Sequence, residues 1–257
     1  MTRTRAMTFD VGGSQIAVTV RDRAALDAQL RERMRRDEGY ALATINLDHL
    51  VKLRRDAAFR EAYAAHDLVT ADGNPIVWLG RMAGHDLSLV TGSDAIVPMC
   101  RLAAQLDVNV GFVGSTEDVL KKAKAFLRGE VPGLRIAFTE APPMGFDPEG
   151  EAATDILARA ADAGVGLLFV ALGAPKQERF AAHGRRMQPR MGFASIGAGL
   201  DFFAGTQKRA PAWMRRFALE WVWRMMRDPR RLAMRYVACA AIVPREVWLA
   251  LRQRRHP

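Results

Sequence analysis

The chain has 257 residues, of which 49% are hydrophobic, 26% charged and 8% aromatic. That composition excludes a disordered chain, a collagen-like chain and a disulfide-stapled mini-protein, and it suits one large domain or two small ones. The net charge of +10 is carried unevenly: residues 1–204 hold 25 Lys+Arg against 25 Asp+Glu, and residues 205–257 hold 13 against 3.

In chain order, residues 7–20 alternate loosely around a Gly-Gly pair and predict a small hairpin. Asp22 to Arg35 predicts a charged amphipathic helix. Short apolar runs follow at Tyr40–Ile45, Leu68–Thr70, Val108–Val113, Leu134–Phe138, Val165–Ala171 and Gly192–Ile196. Helical spacing lies between them at Asp56–Ala64, Pro75–Met82, Ser93–Gln105, Thr116–Leu127, Glu149–Ala161 and Pro175–His183. Strands alternating with helices predict an α/β fold, a Rossmann-like, mostly parallel sheet with helices on both faces. Near Gly205 the pattern changes to helices alone, at Pro211–Met226, Pro229–Ala241 and Arg245–Arg254, with Pro244 as a break. The expected organisation is an α/β body over residues 1–204 and a basic, Trp/Arg-rich helical appendage over residues 205–257.

No run approaches the roughly 20 apolar residues of a membrane span, and the N-terminus lacks the apolar core of a signal peptide. Cys100 and Cys239 fall short of a disulfide framework and fit a reducing compartment. Together these features lead us to expect a cytoplasmic protein.

Ligands of parallel sheets bind at the carboxyl ends of the strands, so the segments after each strand carry the functional reading. After the first comes TINLDHL, where Thr44 and Asn46 alternate onto one side and can hydrogen-bond a sugar or phosphate, or satisfy their own strand end. After the second comes ADGNP, where Asp72 is placed either as a general base or as a helix cap. GFVGSTEDVL sets Gly114 and Ser115 at a strand–turn–helix junction open to a phosphate, without the full dinucleotide glycine pattern. LGAPKQE sets Gly173 before a helix start, with Lys176 and Gln177 placed for a diphosphate; the alternative is an ordinary helix start with Glu178 opposite the dipole. GAGLDFF adds Gly197 and Gly199. No metal site is expected: the five histidines lack ligand spacing, and there is neither Cys-x-x-Cys nor Asp-x-Asp. A departing diphosphate would then need arginines. The appendage has them, interleaved with Trp213, Trp221 and Trp223, a pattern compatible with an anionic membrane surface or with nucleic acid; for any single arginine the plainer reading is a solvated basic helix packing its tryptophans on the body.

Taken as an ordered series, TINLDHL, ADGNPIVW, TGSDAI, GFVGSTEDVL, LGAPKQE, GAGLDFFAGTQKRAPAW and LEWVWRMMRDPRRLAMRY resemble the WecG/TagA/CpsF family of glycosyltransferases. The matches run from about Ala43 to Tyr236. The resemblance implies inverting, metal-independent transfer of N-acetylmannosamine or a related hexose from a UDP-sugar to a sugar on undecaprenyl diphosphate, in cell-surface polysaccharide or exopolysaccharide biosynthesis. It implies a protein peripheral on the inner face of the cytoplasmic membrane, with no cofactor and no nucleic-acid partner. By the same resemblance Asp72 is the base, and Thr44 and Asn46 lie near the reacting sugars. Gln177 belongs to the substrate site, and Arg209, Arg224 and Arg231 belong to an appendage that completes it. Two positions depart from the family pattern. Leu89 stands where an arginine is common, and an aromatic Gly-Tyr-Phe motif reads Met144, Gly145, Phe146. The alternative function is a nucleotide-sensing α/β module with a nucleic-acid-binding basic tail.

Overall fold

The computed structural model describes residues 6–206, 210–211, 214 and 220–255, apart from the side chains of residues 220, 224, 227 and 231. Its first elements form an antiparallel hairpin, β1 (Met7–Val11) and β2 (Ser14–Val18), followed by α1 (Arg23–Arg35). The main sheet contains β3 (Tyr40–Ile45), β4 (Leu68–Ala71), β5 (Asn109–Gly114), β6 (Ile136–Glu140), β7 (Val165–Ala171) and β8 (Gly192–Ser195). Its order is β4-β3-β8-β7-β5-β6, and every pairing is parallel. The intervening helices are α2 (Leu47–Arg55), α3 (Ala57–Ala64), α4 (Asn74–Met82), α5 (Gly92–Gln105), α6 (Glu117–Glu130), α7 (Glu151–Asp162), α8 (Lys176–Met187) and α9 (Gly199–Phe203). The expected Rossmann-like α/β architecture is present.

Strand alternation sorts the core onto two faces. On β7, Leu167 and Phe169 point into a cluster shared with α1, α5 and α6, whereas Leu168 and Val170 point into one shared with α7 and α8. On β3, Leu42 joins the first cluster, and Ala43 and Ile45 join a third cluster built with the hairpin, α2, α3 and α4. The sheet is therefore apolar on both sides, as a covered parallel sheet must be.

Two expectations about elements are corrected. The stretch after β3, read as a polar turn, is the helix α2. Asn46 caps it by accepting the His49 backbone N–H at 3.0 Å, and it buries His49, Leu50 and Leu53. The C-terminal chain does not break at Pro244. Beyond α10 (Glu220–Arg227), one helix, α11 (Pro229–Arg255), continues through it. A proline in a helix interior loses one backbone donor and clashes with the preceding turn. Here packing on both sides offsets that loss, because Ile242, Val247 and the fully buried Ala250 join the cluster formed by the hairpin and α2–α4. Residues 212–213 and 215–219 of the helix expected over Pro211–Met226 lie outside the described residues.

Polar contacts fasten α11 as well. Arg54 of α2 pairs with the buried Glu246. Gln253 donates to the Thr8 carbonyl at 2.5 Å and accepts the Thr8 N–H at 3.5 Å, so the last helix closes on the first strand. The change near residue 205 is one of composition; the final helix shares its core with the body.

Candidate active site

The chain order of the sheet creates one crevice. From β5 the connection through α6 runs outward to β6, and from β7 the connection through α8 runs the other way to β8. Adjacent strands whose connections diverge leave an opening at their carboxyl ends. A cavity of about 200 Å³ lies there, lined by Ser115 from the end of β5, Leu172 and Gly173 from the end of β7, and Gly197, Ala198, Leu200 and Asp201 beyond β8. Gly114 makes the approach possible. Its φ is +110°, and a Cβ there would sit 2.4 Å from the Ala171 carbonyl oxygen, so no other residue fits. Ser115 follows at φ +61°, and its hydroxyl lies 3.5 Å from the Asp201 carboxylate. Burial raises the Asp201 carboxyl above the usual range, and hydrogen bonds from Thr206 and Ser115 oppose that rise. Asp201 is a candidate the sequence reading passed over. Its signal was there, since GAGLDFF carries an acid one helical turn beyond Gly197.

The second half of the site lies at the ends of β3 and β4. The Thr44 hydroxyl donates to the Asp72 carboxylate at 3.2 Å, and the Asp72 N–H donates to the Ile45 carbonyl at 2.8 Å. The helix-cap alternative for Asp72 does not hold. The N-cap of α4 is Gly73, at φ +105°, with no side-chain cap bond. Asp72 is half-buried beside Thr44 instead. Below this pair, the Thr44 carbonyl accepts from the Tyr63 hydroxyl at 2.5 Å and meets His49 Nδ1 at 2.7 Å. Burial holds the His49 ring down to about 4, so it is neutral and Nδ1 carries its proton. Neighbouring strand ends are about 5 Å apart, so Asp72 stands roughly 14 Å along the sheet edge from the Gly173 turn.

The remaining expected residues are placed as follows. Asn46 is adjacent to Gly73, with its side chain engaged as the α2 cap. Lys176 reaches the Phe146 carbonyl at 3.1 Å. Gln177 is buried; its Oε1 accepts the Gly197 N–H at 2.9 Å and its Nε2 donates to Glu178 at 2.8 Å. Glu178 is fully buried with Gln177 and Phe180 on the inner side of α8, the helix that packs on α3 and β3, while Lys176 of the same turn is exposed. Gly199 opens α9, packed so closely that a Cβ would lie 2.7 Å from Ile96. Leu89 is exposed in the segment between α4 and α5. Arg209 lies outside the described residues, as do the side chains of Arg224 and Arg231. Among the described residues no three His, Cys, Asp or Glu side chains are grouped as metal ligands.

The C-terminal helix reaches this edge through charges. Arg235 of α11 pairs with Asp48 at 3.1 Å, Asp48 pairs with Lys52 at 2.8 Å, and Lys52 donates to the Ala174 carbonyl at 3.1 Å, in the turn before α8.

Residues 9–257 match the family model described as glycosyl transferase WecG/TagA/CpsF family. The chain belongs to this family. As a member of it, the protein is a glycosyltransferase, and the sheet-edge site is where its transfer chemistry is sought. It is 28% identical over 195 residues to an N-acetylglucosaminyldiphosphoundecaprenol N-acetyl-beta-D-mannosaminyltransferase of Bacillus subtilis strain 168, covering 75% of this chain and 73% of that one. It is 27% identical over 201 residues to the Bacillus spizizenii protein of the same name, covering 76% and 74%.

Proposed function

We propose that this glycosyltransferase moves N-acetylmannosamine or a related hexose from a UDP-sugar to a sugar carried on undecaprenyl diphosphate. The observation that carries the reading is the Thr44–Asp72 pair, standing on the same strand edge as the cavity at the β5/β7 divergence. The names of the two Bacillus relatives supply the acceptor class and the mannosaminyl group.

In this account the nucleoside end of the donor occupies the cavity against the Gly114–Ser115 and Gly173 turns, and its diphosphate runs along the edge so that the anomeric carbon lies beside Asp72. Asp72 takes the proton from the acceptor hydroxyl. That oxygen forms a bond to the anomeric carbon as the bond from the anomeric carbon to the UDP oxygen breaks. One displacement inverts the anomeric centre and leaves UDP with the electron pair. The Thr44 hydroxyl orients the carboxylate. We assign Arg209, Arg224 and Arg231 to the charge that develops on the leaving diphosphate, in place of a metal ion.

The account places the protein on the inner face of the cytoplasmic membrane, where the lipid tail of the acceptor would be held. Its support is the exposed face of the last two helices, where Trp221, Met226, Met234, Val237 and Trp248 stand in solvent among arginines. Aromatic and cationic side chains together suit an anionic lipid interface. No described helix is long and apolar enough to cross a membrane.

A panel of UDP-sugars tested with polyprenyl-diphosphate N-acetylglucosamine, followed by anomeric analysis of the product, tests this reading. A product of inverted configuration from one donor supports it; retention of configuration refutes the single displacement.

A further inference from the structure

Glu178 is the most expensive side chain near the site. It is 0% exposed, and one carboxylate oxygen accepts from Gln177 while the other has no hydrogen-bond partner among the described residues. A buried, half-satisfied carboxyl costs stability, and a neutral amide of the same shape would cost less. Packing therefore does not account for an acid here.

We propose that Glu178 is a positioning residue of the donor cavity: its carboxylate dictates which end of the Gln177 amide faces Gly197, and so holds the Gly197 turn against the cavity. The inference rests on reading that cavity as the donor site. A carboxylate only accepts, so it demands the Gln177 NH₂ group. The amide oxygen is then directed at the Gly197 N–H, at 2.9 Å. Gly197, at φ +56°, begins the turn that carries Ala198, Leu200 and Asp201 into the cavity wall. A protonated Glu178 can donate as well as accept, which releases the constraint on the amide.

Burial brings this release into the physiological range, because it pushes the Glu178 carboxyl up to about 7, with the Gln177 hydrogen bond, the residue's own backbone N–H and the Lys52 charge opposing it. The surrounding elements contribute few other charges. From α2 come Lys52 and the neutral His49, and from α3 comes Tyr63, whose hydroxyl burial holds far above its usual range. Asp72, after β4, acts on Tyr63. Strands β7 and β8 carry no ionisable residue, β3 carries only Tyr40 at its far end, and the buried face of α7 is Ala153, Ile156, Leu157 and Ala160.

The test follows the Gly197 backbone amide by NMR from about pH 5.5 to pH 8.5, in the full chain and in Glu178→Gln, with UDP affinity measured at both ends of the range. In the wild type the Gly197 resonance should move with a midpoint near pH 7, and UDP should bind several-fold more weakly at the acid end. In Glu178→Gln, folded by its thermal transition, the resonance should stay fixed and UDP should bind about tenfold more weakly at both ends, since the new amide no longer forces one orientation. A Gly197 signal that does not titrate in the wild type overturns the inference, even if the variant fails to fold. So does a folded variant with wild-type UDP affinity and pH dependence. A wild type that binds no UDP refutes the donor-site reading instead, and the Gly197 titration still reports on Glu178.

Discussion

The Thr44 hydroxyl sits 3.2 Å from the Asp72 carboxylate, and the Thr44 carbonyl is gripped from behind by the Tyr63 hydroxyl and His49 Nδ1. The residue that orients the base is thus itself held by two buried donors. Replacing Thr44 by Val, which keeps the strand's shape, should lower kcat about tenfold with little change in thermal stability. Replacing Tyr63 by Phe should lower kcat by less, about threefold, and also destabilise the fold by about 1 kcal/mol, the ordinary worth of one buried hydrogen bond. Steady-state kinetics beside thermal melts separate the two.

Acid should weaken the fold in a defined window. Burial lowers both His49 and His66 to about 4, against about 6.5 when unfolded. The unfolded chain therefore binds more protons between these values, so their contribution is complete above pH 6.5 and is lost as pH falls toward 4. Glu178 works in the opposite sense. Its folded value near 7 lies above its unfolded 4.5, so its contribution is complete below 4.5 and lost as pH rises through 7. Glu178→Gln should then stabilise the protein at pH 8 by up to about 3 kcal/mol and change little at pH 4. Urea denaturation at several pH values measures both slopes.

Arg54→Ala strands Glu246, which Arg245 approaches only at 3.5 Å from an exposed position. Removing one partner of a buried pair typically costs 3–5 kcal/mol. With Arg245 remaining, the loss here should be about 2 kcal/mol. Protease cleavage within 229–255 should rise as the helix loosens from the hairpin.

Trp248 is 58% exposed on α11, beneath the Arg252 guanidinium at 5.5 Å. Trp248→Ser should lower partitioning onto anionic vesicles about tenfold and leave thermal stability unchanged, because the ring buries little in the protein itself. Co-sedimentation with and without acidic lipid measures it.

Much of this structure was legible in the residues. The alternation of apolar runs with helical spacing gave all six sheet strands, because a covered parallel sheet writes its strands as apolar runs. Asp72, Ser115 and Gly173 were singled out as candidates because strand ends in such sheets carry the ligand site, and the structure sets Ser115 and Gly173 at one cavity. Three features were not legible, each for a physical reason. Helix α2 begins with a capping Asn, and its first turn, LDHL, reads as polar because His49 is buried by tertiary packing rather than by pattern. Pro244 reads as a stop, yet the helix is held through it by contacts with a hairpin more than two hundred residues earlier. Glu178 reads as the acid of an ordinary helix start, opposite the dipole, and only the tertiary packing of α8 on α3 and the sheet buries it.

The most direct test of the account is UDP release from the active donor in the presence of polyprenyl-diphosphate N-acetylglucosamine and a chelator, with wild-type protein and with Asp72→Asn. The account predicts acceptor-dependent release that survives the chelator and falls by about 10²–10⁴ in the variant, the usual range for loss of a general base. Full turnover by Asp72→Asn, or release abolished by the chelator, would contradict it.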